Sequence, residues 1–274
     1  MAIVYGLLTS LSIGLADLFG RRVVNARGPI AAGVALQFVA IFTSIAALFV
    51  VDSSFGVGDF AIGLASGLGL GVGLWAYFSG LRRSSSAVVA PLVATLSAVI
   101  PFGYAVVRGA DPTLIALLGA IVAVGGLVVI TMGGGRVEHL RDGIRWGMIS
   151  GLGYGFGLSI VIEASESSGS WPAVAQRVSA FALMIAVARS RSATIVPPQG
   201  LRAAALIAGM LAGGSTIFFL LGVQAGATSA VVTASLFPAV SVVVGRFVYR
   251  DDVEPRQIAG LGIVLLGVIF VATG

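Results

Sequence analysis

Few side chains in this sequence can do chemistry, and the ones that can stand inside long apolar runs. Asp17 lies within the first run. A carboxylate in a bilayer interior is costly unless it is paired or hydrated. Asp17 is therefore either a proton- or cation-coupling group facing a cavity, or the partner of Arg21 one helical turn on. Arg177 poses the same question in the seventh run. It can snorkel to the interface, pair with Glu163, or hold an anionic solute. Gln37 and Gln176 are amides in apolar surroundings, which either join helices or line a polar cavity. Trp75, with Tyr77 and Phe78, ends one run, and Tyr154 follows Trp146 by eight residues on another. Interfacial belts explain such aromatics, and a stacking or gating surface is the alternative. Pro238 is central in its run, removes a backbone hydrogen bond there, and is a candidate hinge, ahead of Pro91 and Pro101.

Other chemistry is excluded. There is no cysteine and a single histidine, His139, in a charged loop. Thiolate metal sites, cysteine nucleophiles and histidine-based triads are thereby set aside. Gly67-Leu68-Gly69-Leu70-Gly71 is not a phosphate loop, because no strand precedes it and no Lys-Ser/Thr follows. No catalytic residue, metal or cofactor is expected, and the chain is not expected to be an enzyme. The net charge is +5, and every basic residue is arginine. The arginines flank apolar runs instead of interleaving with aromatics, so they point to membrane orientation and not to nucleic acid.

The elements that must position these residues are membrane helices. The chain has 274 residues, 58% hydrophobic and 10% charged, with mean hydropathy +1.07. Soluble domains carry roughly 25% charged residues, and a spanning helix needs about 20 mostly apolar ones. Apolar runs fall at 3–20, 30–50, 59–80, 86–107, 113–133, 144–163, 172–188, 202–222, 228–248 and 256–273. The first has no basic residue ahead of it, so it reads as a spanning helix and not a secretory signal. The expected fold is an all-α membrane protein of ten transmembrane helices.

The longest polar stretch, Gly133 to Arg145, is the natural joint between two halves, 1–134 and 143–274. Ser86-Ala87-Val88-Val89 recurs 143 positions later as Ser229-Ala230-Val231-Val232. Asp111-Pro112 recurs as Glu254-Pro255 at the same offset, and Gly119 as Gly262. Tyr5-Gly6 pairs with Trp146-Gly147, and Gln37 with Gln176, at slightly different offsets. With five helices per copy, the second copy enters the membrane from the opposite side. The halves are then inverted repeats, the arrangement in which secondary transporters bind solute near the midplane.

The arginines agree with that count. Arg21, Arg22, Arg27, Arg82, Arg83, Arg136, Arg141, Arg145, Arg189, Arg191, Arg202, Arg246, Arg250 and Arg256 fall at one face. The other face has Arg108, with Asp52, Asp59, Glu163 and Glu166. The arginine-rich face is expected to be cytoplasmic, which puts both termini outside.

Each half resembles the repeat of EamA-type proteins of the drug/metabolite transporter superfamily. The resemblance lies in Ser229-Ala230 through Pro238 to Arg250-Asp251-Asp252-Val253-Glu254-Pro255 and the following Gly260. In the first half it lies in Ser86-Ala87, Pro91, Pro101 and Arg108-Gly109-Ala110-Asp111-Pro112. It covers nearly the whole chain. The first half departs from it by lacking the usual Gly-Glu before the turn proline. The resemblance implies a secondary transporter, an exporter, moving a small metabolite, amino acid-like solute or drug by alternating access. It implies an integral, multi-pass protein of a bacterial inner membrane with lipid around it, monomeric or homodimeric, open to proton coupling. It also implies cytoplasmic termini, against the arginine count. A non-transporting structural or partner membrane subunit is the alternative, and it would lack a polar central cavity between the halves near Gln37, Gln176 and Arg177.

Overall fold

The computed structural model describes residues 1–109, 111–131, 139–234 and 236–273. Most of the joint between the halves, 132–138 with Arg136 and Glu138, lies outside the described residues. So do the side chains of Ser229, Val231 and Val232.

All regular structure among the described residues is helical. The α-helices are α1 (Ala2–Arg27), α2 (Pro29–Ala47), α3 (Val57–Arg83), α4 (Ser86–Val107), α5 (Leu114–Thr131), α6 (Leu140–Val161), α7 (Trp171–Ser190), α8 (Arg202–Ala234), α9 (Phe237–Val248) and α10 (Pro255–Thr273). Short 3₁₀ turns at Glu166–Ser168 and Gln199–Leu201 precede α7 and α8. Helix is the form that satisfies every backbone polar group within the segment, which a lipid core demands.

Seven helices are long and apolar enough to cross a membrane on their own: α1, α2, α3, α4, α7, the first part of α8 and α10. α5 and α9 are shorter apolar helices. α6 is long enough, but its first turns carry Arg141, Asp142 and Arg145 and it is rich in glycine. Ten α-helices of unequal apolar length thus stand among the described residues, and the eighth and ninth expected runs do not match α8 and α9 one to one.

The ninth run differs most from expectation. α8 continues to Ala234, where a loop is expected at 223–227, but it is not one straight rod. A Cβ added at Gly222 would lie 2.9 Å from the Ala230 Cβ. Eight residues of straight helix would hold them about 12 Å apart. Gly222 and Ala230 are thus closer than one straight helix allows, and Ala230 and Thr233 lie against Gly6, and Val240 against Gly14, on α1.

The packing obeys a twofold exchange of halves. α1 packs on α8 as α6 packs on α3, α2 on α8 as α7 on α3, and α1 on α9 as α6 on α4. α2 with α7, α4 with α9, and α5 with α10 map onto themselves. Glycine makes the closest approaches possible. A Cβ at Gly67 would stand 2.3 Å from the Gln176 carbonyl oxygen, and one at Gly151 2.7 Å from Leu96. The ridges Gly63/Gly67/Gly71 and Gly147/Gly151/Gly155 are therefore contact seams between halves, against α7 and α4 respectively.

Candidate functional site

Asp17 sits on α1 between small neighbours, Gly14, Ala16 and Gly20, which let α9 and α3 come close. Its Oδ2 accepts 2.6 Å hydrogen bonds from the Tyr77 hydroxyl on α3 and the Ser241 hydroxyl on α9. Two hydroxyls stand where water would stand in solution, and Tyr77 and Ser241 are themselves buried.

Arg21 is not the partner of Asp17. Its two terminal nitrogens donate to Asp251 at 2.7 and 2.8 Å, a bidentate pair. That fork geometry is the strong form of an arginine–carboxylate bond. Asp251 Oδ2 also accepts from the Ser86 backbone N–H at 2.9 Å and hydroxyl at 2.7 Å. The guanidinium lies 4.4 Å from the Tyr249 ring centroid, and the Tyr249 hydroxyl donates to the Leu18 carbonyl at 2.5 Å. Side-chain exposure is 10% for Arg21 and 6% for Asp251, so this is an interior ion pair at the end of the bundle. A pocket lined by Asp17, Arg21, Tyr77, Ser86, Ser241 and Tyr249 lies between the pair and the carboxylate. It has room for about one water molecule.

Arg177 forms a second polar centre. On α7, it donates to Gln37 Oε1 on α2 at 3.1 Å, to the Ala212 carbonyl at 3.0 Å and to the Thr216 hydroxyl at 3.2 Å on α8. Its bonded partners are neutral. Arg177 Nε and Gln37 Nε2 are buried and lack a hydrogen-bond partner among the described residues. Glu163 is engaged elsewhere, by Arg108 at 3.0 Å and by the Tyr104 hydroxyl at 3.0 Å. Tyr154 on α6 packs its ring against Gly73 on α3. Asp17 with Tyr77 and Ser241, and Arg177 with Gln37 and Thr216, are thus two buried polar centres, each built from residues of both halves.

The remaining candidates sit apart from these two centres. Gln176 donates to the Ser66 hydroxyl at 2.7 Å, and Ser66 to the Gly157 carbonyl at 2.7 Å, tying α7 to α3 and α6. Although Gln37 and Gln176 match in sequence, one meets the guanidinium and the other a packing seam. Trp75 meets Trp146 edge-on at 5.3 Å and lies under Arg191 at 4.9 Å. Arg83 and Arg145 cover Trp146, so these indoles belong to the arginine-rich end. Pro238 falls in the first turn of α9, where its missing N–H breaks no helical bond. α8 ends at Ala234 and α9 begins at Phe237, one residue before Pro238. No cluster of three His, Asp or Glu able to hold a metal occurs among the described residues.

The sequence profile of the EamA-like transporter family matches residues 1–132 and again 142–273. The chain belongs to the EamA-like transporter family. Membership makes it a multi-pass integral membrane protein of a transporter family, built from two copies of the EamA repeat. A solved structure described as "Crystal structure of protein" is similar over 99% of this chain and 98% of its own, with a TM-score of 0.65 and 17% identity. That likeness concerns the fold alone. No functionally curated protein matches the chain.

Several residues of this EamA site escaped sequence reading. Tyr77 looked like part of an aromatic belt, and nothing marked Ser241 or Thr216 out from other small hydroxyls. Asp251 did carry a signal, since it sits in the acidic turn of the EamA pattern, but its partner across the fold did not.

Proposed function

We propose that this EamA-family protein is a secondary transporter that moves a small polar metabolite, amino acid-like solute or drug by alternating access. In this reading the chain crosses a bacterial cell membrane ten times, as two inverted five-helix repeats, and works as an exporter. One observation carries the reading. A carboxylate and a guanidinium stand inside spanning helices, bonded to neutral polar groups supplied by both halves. Interior charges are costly in a membrane and persist where they serve a path for solute or ions. A structural subunit has no use for them.

Arg177, with Gln37 and Thr216 fixing its plane, offers a binding point for an anionic group of the solute. Tyr154 on α6 is a further lining residue in this reading. Asp17 takes a proton when its side of the membrane is open and releases it when the other side opens. Tyr77 and Ser241 hold the carboxylate in place through that cycle, and Pro238, in the first turn of α9, is the hinge. No Walker motif is present in the sequence, so the reading uses an ion or solute gradient as the driving force. A thermal-shift screen of metabolites on purified protein, followed by flux of the hits into proteoliposomes, tests it. Solute-specific flux without ATP supports it, and stabilising hits that never cross the membrane contradict it.

A further inference from the structure

The Arg21–Asp251 pair has a counterpart on the other face of the molecule. Arg108 follows α4 and Glu163 follows α6, and they pair at 3.0 Å. Asp251 stands 143 positions after Arg108, the offset that relates α4 to α9 in the repeat. Glu163 stands 142 positions after Arg21, within one residue of the offset that relates α1 to α6. The twofold exchange of halves therefore lays one pair on the other with the charges swapped. Arginine of the first half meets acid of the second half on both faces.

The two pairs differ in burial. Arg21 and Asp251 are 10% and 6% exposed, Arg108 and Glu163 63% and 35%. The buried pair is also fastened: Asp251 accepts from Ser86, and Tyr249 covers Arg21 and bonds to α1. Among the described residues, the Tyr104 hydroxyl stands beside the exposed pair. Both pairs are formed, one buried and fastened, its symmetry mate open to solvent.

We infer that these are reciprocal latches, Arg21–Asp251 closing the arginine-rich face and Arg108–Glu163 closing the opposite face, each sealed when the other loosens. The inference rests on the alternating-access reading above. An exposed pair contributes little, whereas a buried, bidentate one is costly to break by removing one partner.

The chain lacks cysteine and can serve as its own labelling background. Val244→Cys puts a single thiol in the pocket between the latch and Asp17. A membrane-impermeant maleimide, added to vesicles on the arginine-rich side only, reads how often that side opens. Asp251→Asn should speed labelling about tenfold or more, by releasing the buried latch. Glu163→Gln should slow it about threefold, because the opposite face then stays open. Glu163 is exposed, so Glu163→Gln tests the idea in a folded protein. An unchanged or faster rate in that variant overturns it. Labelling needs no solute. Loss of flux with reciprocal labelling intact strikes the transporter reading, and intact flux without reciprocity strikes the latches.

Discussion

Arg177 on α7 donates to Gln37 on α2 at 3.1 Å, so one hydrogen bond joins the two halves through a fully buried amide. The bond orients the guanidinium while leaving it uncompensated by a carboxylate among its bonded partners. That combination suits a group that must hold an anion and let it go.

Arg177→Ala is expected to weaken anionic solutes by about 10- to 100-fold, the value of a charge-assisted bond of roughly 1.5–3 kcal/mol, while neutral solutes change little. Thermal-shift titrations of matched anionic and neutral metabolites read the difference. Equal loss for both classes would mean that Arg177 serves folding alone.

Asp17→Asn should remove the pH dependence of flux in proteoliposomes. Tyr77→Phe and Ser241→Ala should keep a pH dependence but displace its midpoint, because each deletes one donor to the carboxylate, worth about 1 kcal/mol or more. A pH profile of Asp17→Asn that overlays the parent's would remove Asp17 from coupling.

Gly67→Ala should lower the melting temperature in detergent through overpacking of about 1–3 kcal/mol. Its added methyl would meet the Gln176 backbone carbonyl, which cannot rotate away. Gly58→Ala, at a position with open space around it, should leave the melting temperature near the parent's.

Much of the fold was legible in the sequence because its signals are long. Apolar runs of bilayer length, glycine every fourth residue and the repeat at offset 143 each survive local irregularity. The ninth run resisted, because the contacts of Ala230 and Thr233 with Gly6, and of Val240 with Gly14, join segments over 200 residues apart in sequence and leave no local signal. The site was legible only where charge is rare. Asp17 and Arg177 stood out against an apolar background. Their hydroxyl partners, Tyr77, Ser241 and Thr216, did not, since such residues are common in membrane helices. The Arg21–Asp17 spacing is a sound local expectation. It lost to Asp251, which lies 230 positions away in sequence and offers a two-oxygen fork.

Orientation is decidable with the same cysteine-free background. The arginine bias predicts that Ser190→Cys, at the end of α7, reacts with an impermeant maleimide only after cells are permeabilised. Ser54→Cys, between α2 and α3, should react in intact cells. The reverse pattern would place the termini in the cytoplasm, as the family resemblance implies.

The most direct test is counterflow in proteoliposomes preloaded with the metabolite that stabilises the purified protein most. Transient accumulation of labelled solute without ATP is expected, slowed in both Asp17→Asn and Arg177→Ala. Labelled solute that merely equilibrates at the rate of empty liposomes, or counterflow untouched by both substitutions, would contradict it.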